Sequence, residues 1–113
     1  MVLEIRNYHF NPALFTEYKE WARTGAVPYL SERLDVLGFW VATNDPPEVR
    51  GEPLDKIGAA NVTWIIRWND LAHRNKVLPR VLTSPEWKEI FSRVPGGSAS
   101  YIRREARFAE SLV

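Results

Sequence analysis

The chain has 113 residues, a formal net charge of +1, no cysteine, 45% hydrophobic residues and 26% charged residues. These values predict one soluble globular domain over residues 1–113 without a nucleic-acid or membrane partner, and they exclude disulfides and thiolate sites. Met1 leads into the first predicted strand without a signal-like leader, and no apolar run reaches the ~18 residues that span a bilayer, so we expect a cytoplasmic protein.

The first predicted element is a strand over residues 2–10, in which alternate side chains share a face. One face carries Val2, Glu4, Arg6, Tyr8 and Phe10, and so it holds both charged side chains of the strand. The other face carries Leu3, Ile5, Asn7 and His9.

A helix is predicted to follow, because Asn11 is suited to cap a helix and Pro12 to occupy its first position. Apolar residues then recur every three or four positions as far as Leu34. Gly25 and Pro28 predict a kink or a break in the middle of this helix.

The second predicted strand covers residues 38–43, which are apolar, aromatic and β-branched. A loop over residues 44–53 follows, because it is rich in proline and contains Gly51. Such a long loop is either a surface connection without a role or a lid over a site.

The third predicted strand, residues 62–68, has two largely apolar faces. One face carries large side chains: Val62, Trp64, Ile66 and Trp68. The other carries Thr63, Ile65 and Arg67. Both faces therefore need to be covered, because monomers rarely expose more than a few hundred Å² of contiguous apolar surface.

Two more helices and a strand complete the prediction. Asp70 and Ser84 are suited to cap the helices, and residues 100–108 alternate as a strand with Tyr101 and Arg103 on one face and Arg104 on the other. The order β, α, β, β, α, β is that of the α+β ferredoxin-like fold, a four-stranded antiparallel sheet with helices on one face.

The other face of such a sheet has no cover within the chain. We assign Trp64, Ile66 and Trp68 to this bare face, and His9 to the face under the helices. Two sheets that pack face to face would hide the tryptophans, so we expect a homodimer.

Four segments, taken in order, resemble the NIPSNAP family over nearly the whole chain. They are Glu-Ile-Arg-Asn-Tyr at 4–8, Gly-Phe-Trp at 38–40, Trp-Asn-Asp-Leu-Ala-His-Arg at 68–74 and Ser-Pro-Glu-Trp at 84–87. The resemblance implies a dimeric α/β barrel but no single reaction. Family members commonly have Tyr at the position of Trp68 and Glu-Gly after the second strand, where this chain departs from the pattern.

Glu4 and Arg6 share a strand face about 7 Å apart. In a dry environment they are expected to pair with each other or with Asp70 and Arg74. Such a network either fixes the strand register or the dimer, or it makes Arg6 the anchor for a carboxylate or phenolate ligand.

Four aromatic side chains are candidates for the wall of a ligand site: Tyr8, Trp40, Trp64 and Trp68. They would suit a flat apolar molecule, or they would pack together across a dimer interface. Tyr8 and His9 are the candidates for proton transfer. With two isolated histidines and no cysteine, the sequence predicts no metal site.

We therefore expect a homodimer that binds a small aromatic or acyl molecule without a cofactor, using Glu4, Arg6, Tyr8, Arg74 and the three tryptophans of this wall. One alternative is a cofactor-independent oxygenase, isomerase or cyclase of the dimeric barrel type. Another is a structural module whose aromatic residues only hold the dimer together.

Overall fold

The secondary structure follows the predicted βαββαβ order. A computed structural model describes residues 1–54 and 56–113. The strands are β1 (Val2–Phe10), β2 (Val36–Val41), β3 (Val62–Trp68) and β4 (Tyr101–Ala109). The helices are α1 (Phe15–Trp21), α2 (Val27–Arg33), α3 (Leu71–Val81) and α4 (Pro85–Phe91). Among the described residues, no helix has both the length and the apolar character needed to cross a membrane.

The strands form one antiparallel sheet in the order β2-β3-β1-β4, which is the ferredoxin-like arrangement. The prediction of an α+β ferredoxin-like fold is confirmed. Strand β2 begins two residues earlier than predicted, because Val36 already pairs with Ile66 and the Asp35 carbonyl accepts from the amide of Arg67 at 2.9 Å.

The predicted helix caps are present. Asn11 caps a short 3₁₀ turn, Pro12–Leu14, while Asp70 and Ser84 accept from the backbone amides of His73 and Trp87 at 2.7 and 3.0 Å. These caps satisfy amides that have no partner within their own helices. They therefore fix where the 3₁₀ turn, α3 and α4 begin.

The interruption predicted near Gly25 and Pro28 is a π turn, Ala22–Ala26, between α1 and α2. Here the amide of Val27 donates to the carbonyl of Ala22, five residues back. Because Pro28 has no amide hydrogen and its ring crowds the preceding turn, the wider turn lets the chain stay helical.

The assignment of the large β3 side chains to the bare face is wrong. Val62, Trp64, Ile66 and Trp68 are at most 2% exposed, and they form one core with helical residues such as Leu30. The sequence prediction failed because both faces of β3 are apolar and alternation alone does not say which face the helices cover.

The face predicted for His9 is also wrong. Glu4, Arg6 and Tyr8 pair with residues of the buried face of β3, so they lie beneath the helices. His9 therefore lies on the open face of the sheet, where its Nε2 is 2.8 Å from the carbonyl oxygen of Gly58.

The open face has an apolar centre and a charged border. Its centre consists of half-buried aliphatic residues and one exposed tryptophan, namely Leu3, Ile5, Ile65 and Trp40. The indole of Trp40 lies across Gly38, where a Cβ atom would overlap the ring. At the border, Arg67 pairs with Asp35 at 2.7 Å, and Glu105 pairs with two arginines of β4.

The turn before β4 depends on Gly96, which has a φ of +70°. A Cβ there would lie 2.6 Å from Leu14 Cδ1 and would also overlap the Ser100 hydroxyl. We expect Gly96→Ala to lower the free energy of unfolding by about 1–3 kcal/mol in urea titrations. Gly51→Ala is the control, because Gly51 also has a positive φ but has open space around it. Equal losses in both variants would contradict the proposed contact.

Candidate functional site

A cavity of about 310 Å³ lies between the sheet and the helices. Aromatic side chains dominate its wall, which includes Tyr8, Tyr18, Trp21, Phe39, Trp64, Trp87, Phe91 and Tyr101. An apolar cavity of about 150 Å³ accepts one benzene ring. The cavity therefore has room for about two fused rings.

The π turn contributes directly to this cavity. Ala26 at its end and Trp21 just before it both line the wall. The Trp21 indole is held by a hydrogen bond of 2.9 Å to the carbonyl of Ile90, which connects α1 to α4. Isolated π turns are frequent at functional sites, because they reposition side chains without ending the helix.

Behind the cavity, Glu4 is fully buried and accepts hydrogen bonds from three side chains. Arg6 Nη1 donates at 2.6 Å, while Arg74 donates through Nε and Nη2 at 3.0 Å to separate carboxylate oxygens. The Trp68 indole adds a fourth hydrogen bond at 3.0 Å. The predicted pairing of Glu4 with Arg6 and Arg74 is therefore present, whereas Asp70 caps α3.

The two arginines determine the ionisation of Glu4. Burial by itself raises the pKa of this carboxyl, but the hydrogen bonds and positive charges of Arg74 and Arg6 outweigh it and hold the pKa below its usual value. Glu4 is therefore ionised at neutral pH. One carboxylate between two guanidinium groups leaves this cluster with one net positive charge.

The lowered pKa of Glu4 predicts an acid-dependent loss of stability. Its stabilisation is complete above the unfolded-state pKa of about 4.3, and it disappears as the pH falls through the lower folded-state value. The difference in unfolding free energy between the wild type and Glu4→Gln should therefore shrink between about pH 5 and pH 2. Urea titrations across this range measure it, and a constant difference would contradict the ionised state of Glu4.

The Tyr8 hydroxyl connects this cluster to the cavity. It accepts from Arg6 Nε at 2.7 Å and from the Trp64 indole at 2.9 Å. Both lone pairs of the phenolic oxygen are thus used, and no acceptor for its proton is found among the described residues. The hydroxyl of Tyr8 is free to donate to a molecule in the cavity.

The cavity is also cationic. Arg6, Lys88 and Arg104 line it, and no aspartate or glutamate does so in the described part of the chain. Burial is the main cause that raises the pKa values of Tyr18 and Tyr101, so both phenols stay protonated at neutral pH. The wall therefore offers positive charges and neutral hydroxyls.

The structure brings together six of the eight predicted site residues. Arg6, Tyr8 and Trp64 line the cavity, and the other three form the cluster behind Arg6: Glu4, Trp68 and Arg74. Trp40 and His9 lie on the opposite face of the sheet. His9 and Tyr8, although adjacent in sequence, therefore do not face the same space. Within the described residues, no cluster of potential metal ligands is found.

Several lining residues were not predicted. Trp21, Trp87 and Arg104 line the cavity but are not among the candidate site residues that the sequence suggested. Tyr101 was placed on the face of Arg103, but a register shift beside Phe10 pairs it with the helix-covered face. The unusual number of five tryptophans in this short chain was the available signal.

No protein-family model and no curated protein matches this sequence. Among solved structures, the chain is similar to an uncharacterised NIPSNAP domain protein from Burkholderia xenovorans, with a TM-score of 0.73, 15% identity and coverage of 98% of this chain and 94% of that one. A NIPSNAP family protein of unknown function from Agrobacterium tumefaciens has a TM-score of 0.72, 16% identity and coverage of 96% and 86%.

A third similar structure is described as an antibiotic biosynthesis monooxygenase. It has a TM-score of 0.57 and 12% identity, and the match covers 100% of both chains. The chain thus has the fold of NIPSNAP domain proteins over nearly its whole length, and the resemblance inferred from the sequence is confirmed at the level of fold.

Proposed function

We propose that this chain is a NIPSNAP-like protein that acts as a homodimer and binds a small planar aromatic or acyl molecule without a cofactor. The observation that carries the proposal is the cavity of about 310 Å³, whose aromatic wall includes Tyr8 and is joined by the polar side chain of Arg6. Ligand sites combine a mainly apolar wall with a few well-placed polar groups. This cavity has that composition.

The open face of the sheet supports the homodimer. Its apolar centre around Ile65 and Trp40 and its charged border have the distribution of a protein interface, in which an apolar core is surrounded by a polar rim. A stable interface of standard size needs about 800 Å² from each partner. A second copy of this four-stranded face is a suitable cover.

An alternative function is cofactor-independent oxygenation, isomerisation or cyclisation of the bound molecule. The Tyr8 hydroxyl, whose proton has no acceptor among the described residues, favours this candidate, since Tyr8 would transfer a proton while Arg6 holds an anion. A similarly folded protein is described as an antibiotic biosynthesis monooxygenase. His9 is on the other face of the sheet, so its position gives no support to a role beside Tyr8.

Tyr8→Phe separates binding from catalysis. Loss of the hydroxyl leaves donors on Arg6 and Trp64 without an acceptor, so we expect the unfolding free energy to fall by about 1–3 kcal/mol. If Tyr8 transfers a proton, turnover of an identified substrate falls at least about 100-fold while the shape of the cavity is kept. Full turnover by the Tyr8→Phe variant would show that Tyr8 has no part in catalysis.

Native mass spectrometry of the freshly purified protein tests the proposed function, with the denatured mass as reference. We expect a dimer that carries additional non-covalent mass. Ala26→Leu narrows the cavity, so this variant should remain a dimer but lose the additional mass. The control Ala72→Leu, on the exposed surface of α3, should keep the additional mass. An empty dimer that also fails to bind 2-naphthamide would support the purely structural module instead.

A further inference from the structure

The charges around the cavity specify its ligand more narrowly than its shape does. Three cationic side chains line it, without an acidic side chain among the described residues. The cluster behind Arg6 adds one unbalanced positive charge, because Glu4 is shared by two arginines. Positive charge that is held in a partly dry space favours an anion from solution.

Lys88 and Arg104 are the cations available to bind that anion. Both are exposed, so they lie where the cavity meets solvent, and neither has a carboxylate partner within the described residues. The Arg104 guanidinium lies 4.9 Å from the centre of the Tyr101 ring, which orients it beside the cavity wall. Arg6, in contrast, already donates to Glu4 and Tyr8.

We propose that the ligand is an organic acid of about two fused rings, whose carboxylate is held by Lys88 and Arg104 while its rings lie between Trp64 and Trp87. This inference rests on the proposed function and adds the chemical class of the ligand. Cations on α4 and β4 hold the acid group at the opening, and the Tyr8 hydroxyl donates to a polar atom at the inner end.

The test compares 2-naphthoate with its neutral analogue 2-naphthamide by isothermal titration calorimetry. In the wild type, we expect naphthoate to bind about tenfold more tightly, because charge-assisted hydrogen bonds are stronger than neutral ones. In Lys88→Gln/Arg104→Gln, this preference should fall to about twofold or less, and the affinity for naphthamide should stay unchanged.

A matched control removes the same amount of charge elsewhere. Lys76→Gln/Arg80→Gln changes two exposed residues of α3 that do not line the cavity, so the preference for naphthoate should persist. If the wild type binds both compounds with equal affinity, the inference that the ligand is an acid would be overturned, and the proposed function would stay intact. A preference that survives in the Lys88→Gln/Arg104→Gln variant would overturn the assignment of these two residues. Binding of neither compound would contradict the proposed function itself.

Discussion

Replacing Glu4 with glutamine is expected to lower the free energy of unfolding by about 3 kcal/mol. Glu4 is fully buried and is the only carboxylate paired with Arg6 and Arg74 in the described structure. The side chains of these arginines are only 15% and 23% exposed, so water cannot fully replace the lost charge. The amide group of glutamine also brings hydrogen-bond donors toward groups that are donors themselves.

Urea unfolding measures this loss, and thermal unfolding should show a decrease in Tm of roughly 10 °C for a domain of this size. Glu20→Gln is the matched control, because Glu20 also pairs with an arginine, Arg23, but on the exposed surface. Its change should remain within about 0.5 kcal/mol. A loss of less than 1 kcal/mol in Glu4→Gln would show that the cluster contributes little to the fold.

Replacing Trp40 with glutamate is expected to dissociate the proposed homodimer. Trp40 is 51% exposed in the single chain and lies on the open face of the sheet. Buried interface tryptophans commonly contribute 2 kcal/mol or more, and a twofold-symmetric interface contains each residue twice. We therefore expect the dimer Kd to rise about 1000-fold, with a free-energy change of about 4 kcal/mol.

Analytical ultracentrifugation over a concentration series measures this Kd, and circular dichroism checks that the monomer stays folded. Leu71→Glu is the control, since Leu71 is 47% exposed but lies on the helical layer at the start of α3. Its Kd should stay within about threefold of the wild type, as expected for residues outside an interface. If the Trp40→Glu protein remains dimeric, the interface does not lie on the open face.

Local signals in the sequence predicted most of the fold. Capping by Asp70 and Ser84 depends only on residues three positions apart, and the alternation of β1 depends only on neighbouring residues. Such patterns are visible in a single sequence because the interactions that they reflect are local. The limits of β1, the starts of α3 and α4 and the sequential order of strands and helices were therefore predictable.

The choice of the buried face was not predictable in this way. Trp64 and Ile65 lie next to each other on opposite faces, and both belong to apolar rows. Which row lies beneath the helices depends on tertiary packing, including the burial of Glu4 with its two arginines. The sequence prediction puts Trp64 on the bare face, whereas it lies beneath the helices on the same face as Glu4 and Arg6.

The candidate site was predicted only in part, for a related reason. Tyr8, Arg6 and Trp64 were found because they come from paired strands. Trp87 lies on α4, and only the packing of the helices on the sheet places it at the same cavity as Arg104, which pairs with Tyr8 in the sheet. No spacing in the sequence indicates that these residues line the same cavity.

The most direct test follows the five tryptophan indole N–H signals by NMR while 2-naphthoate is added. Single Trp→Phe variants assign the signals. Trp21, Trp64 and Trp87 line the cavity, whereas Trp40 lies on the opposite face of the sheet. A ligand in the cavity should shift the first three signals and leave that of Trp40 unchanged. A shift of Trp40 at saturation, with the three cavity signals unmoved, would contradict the site.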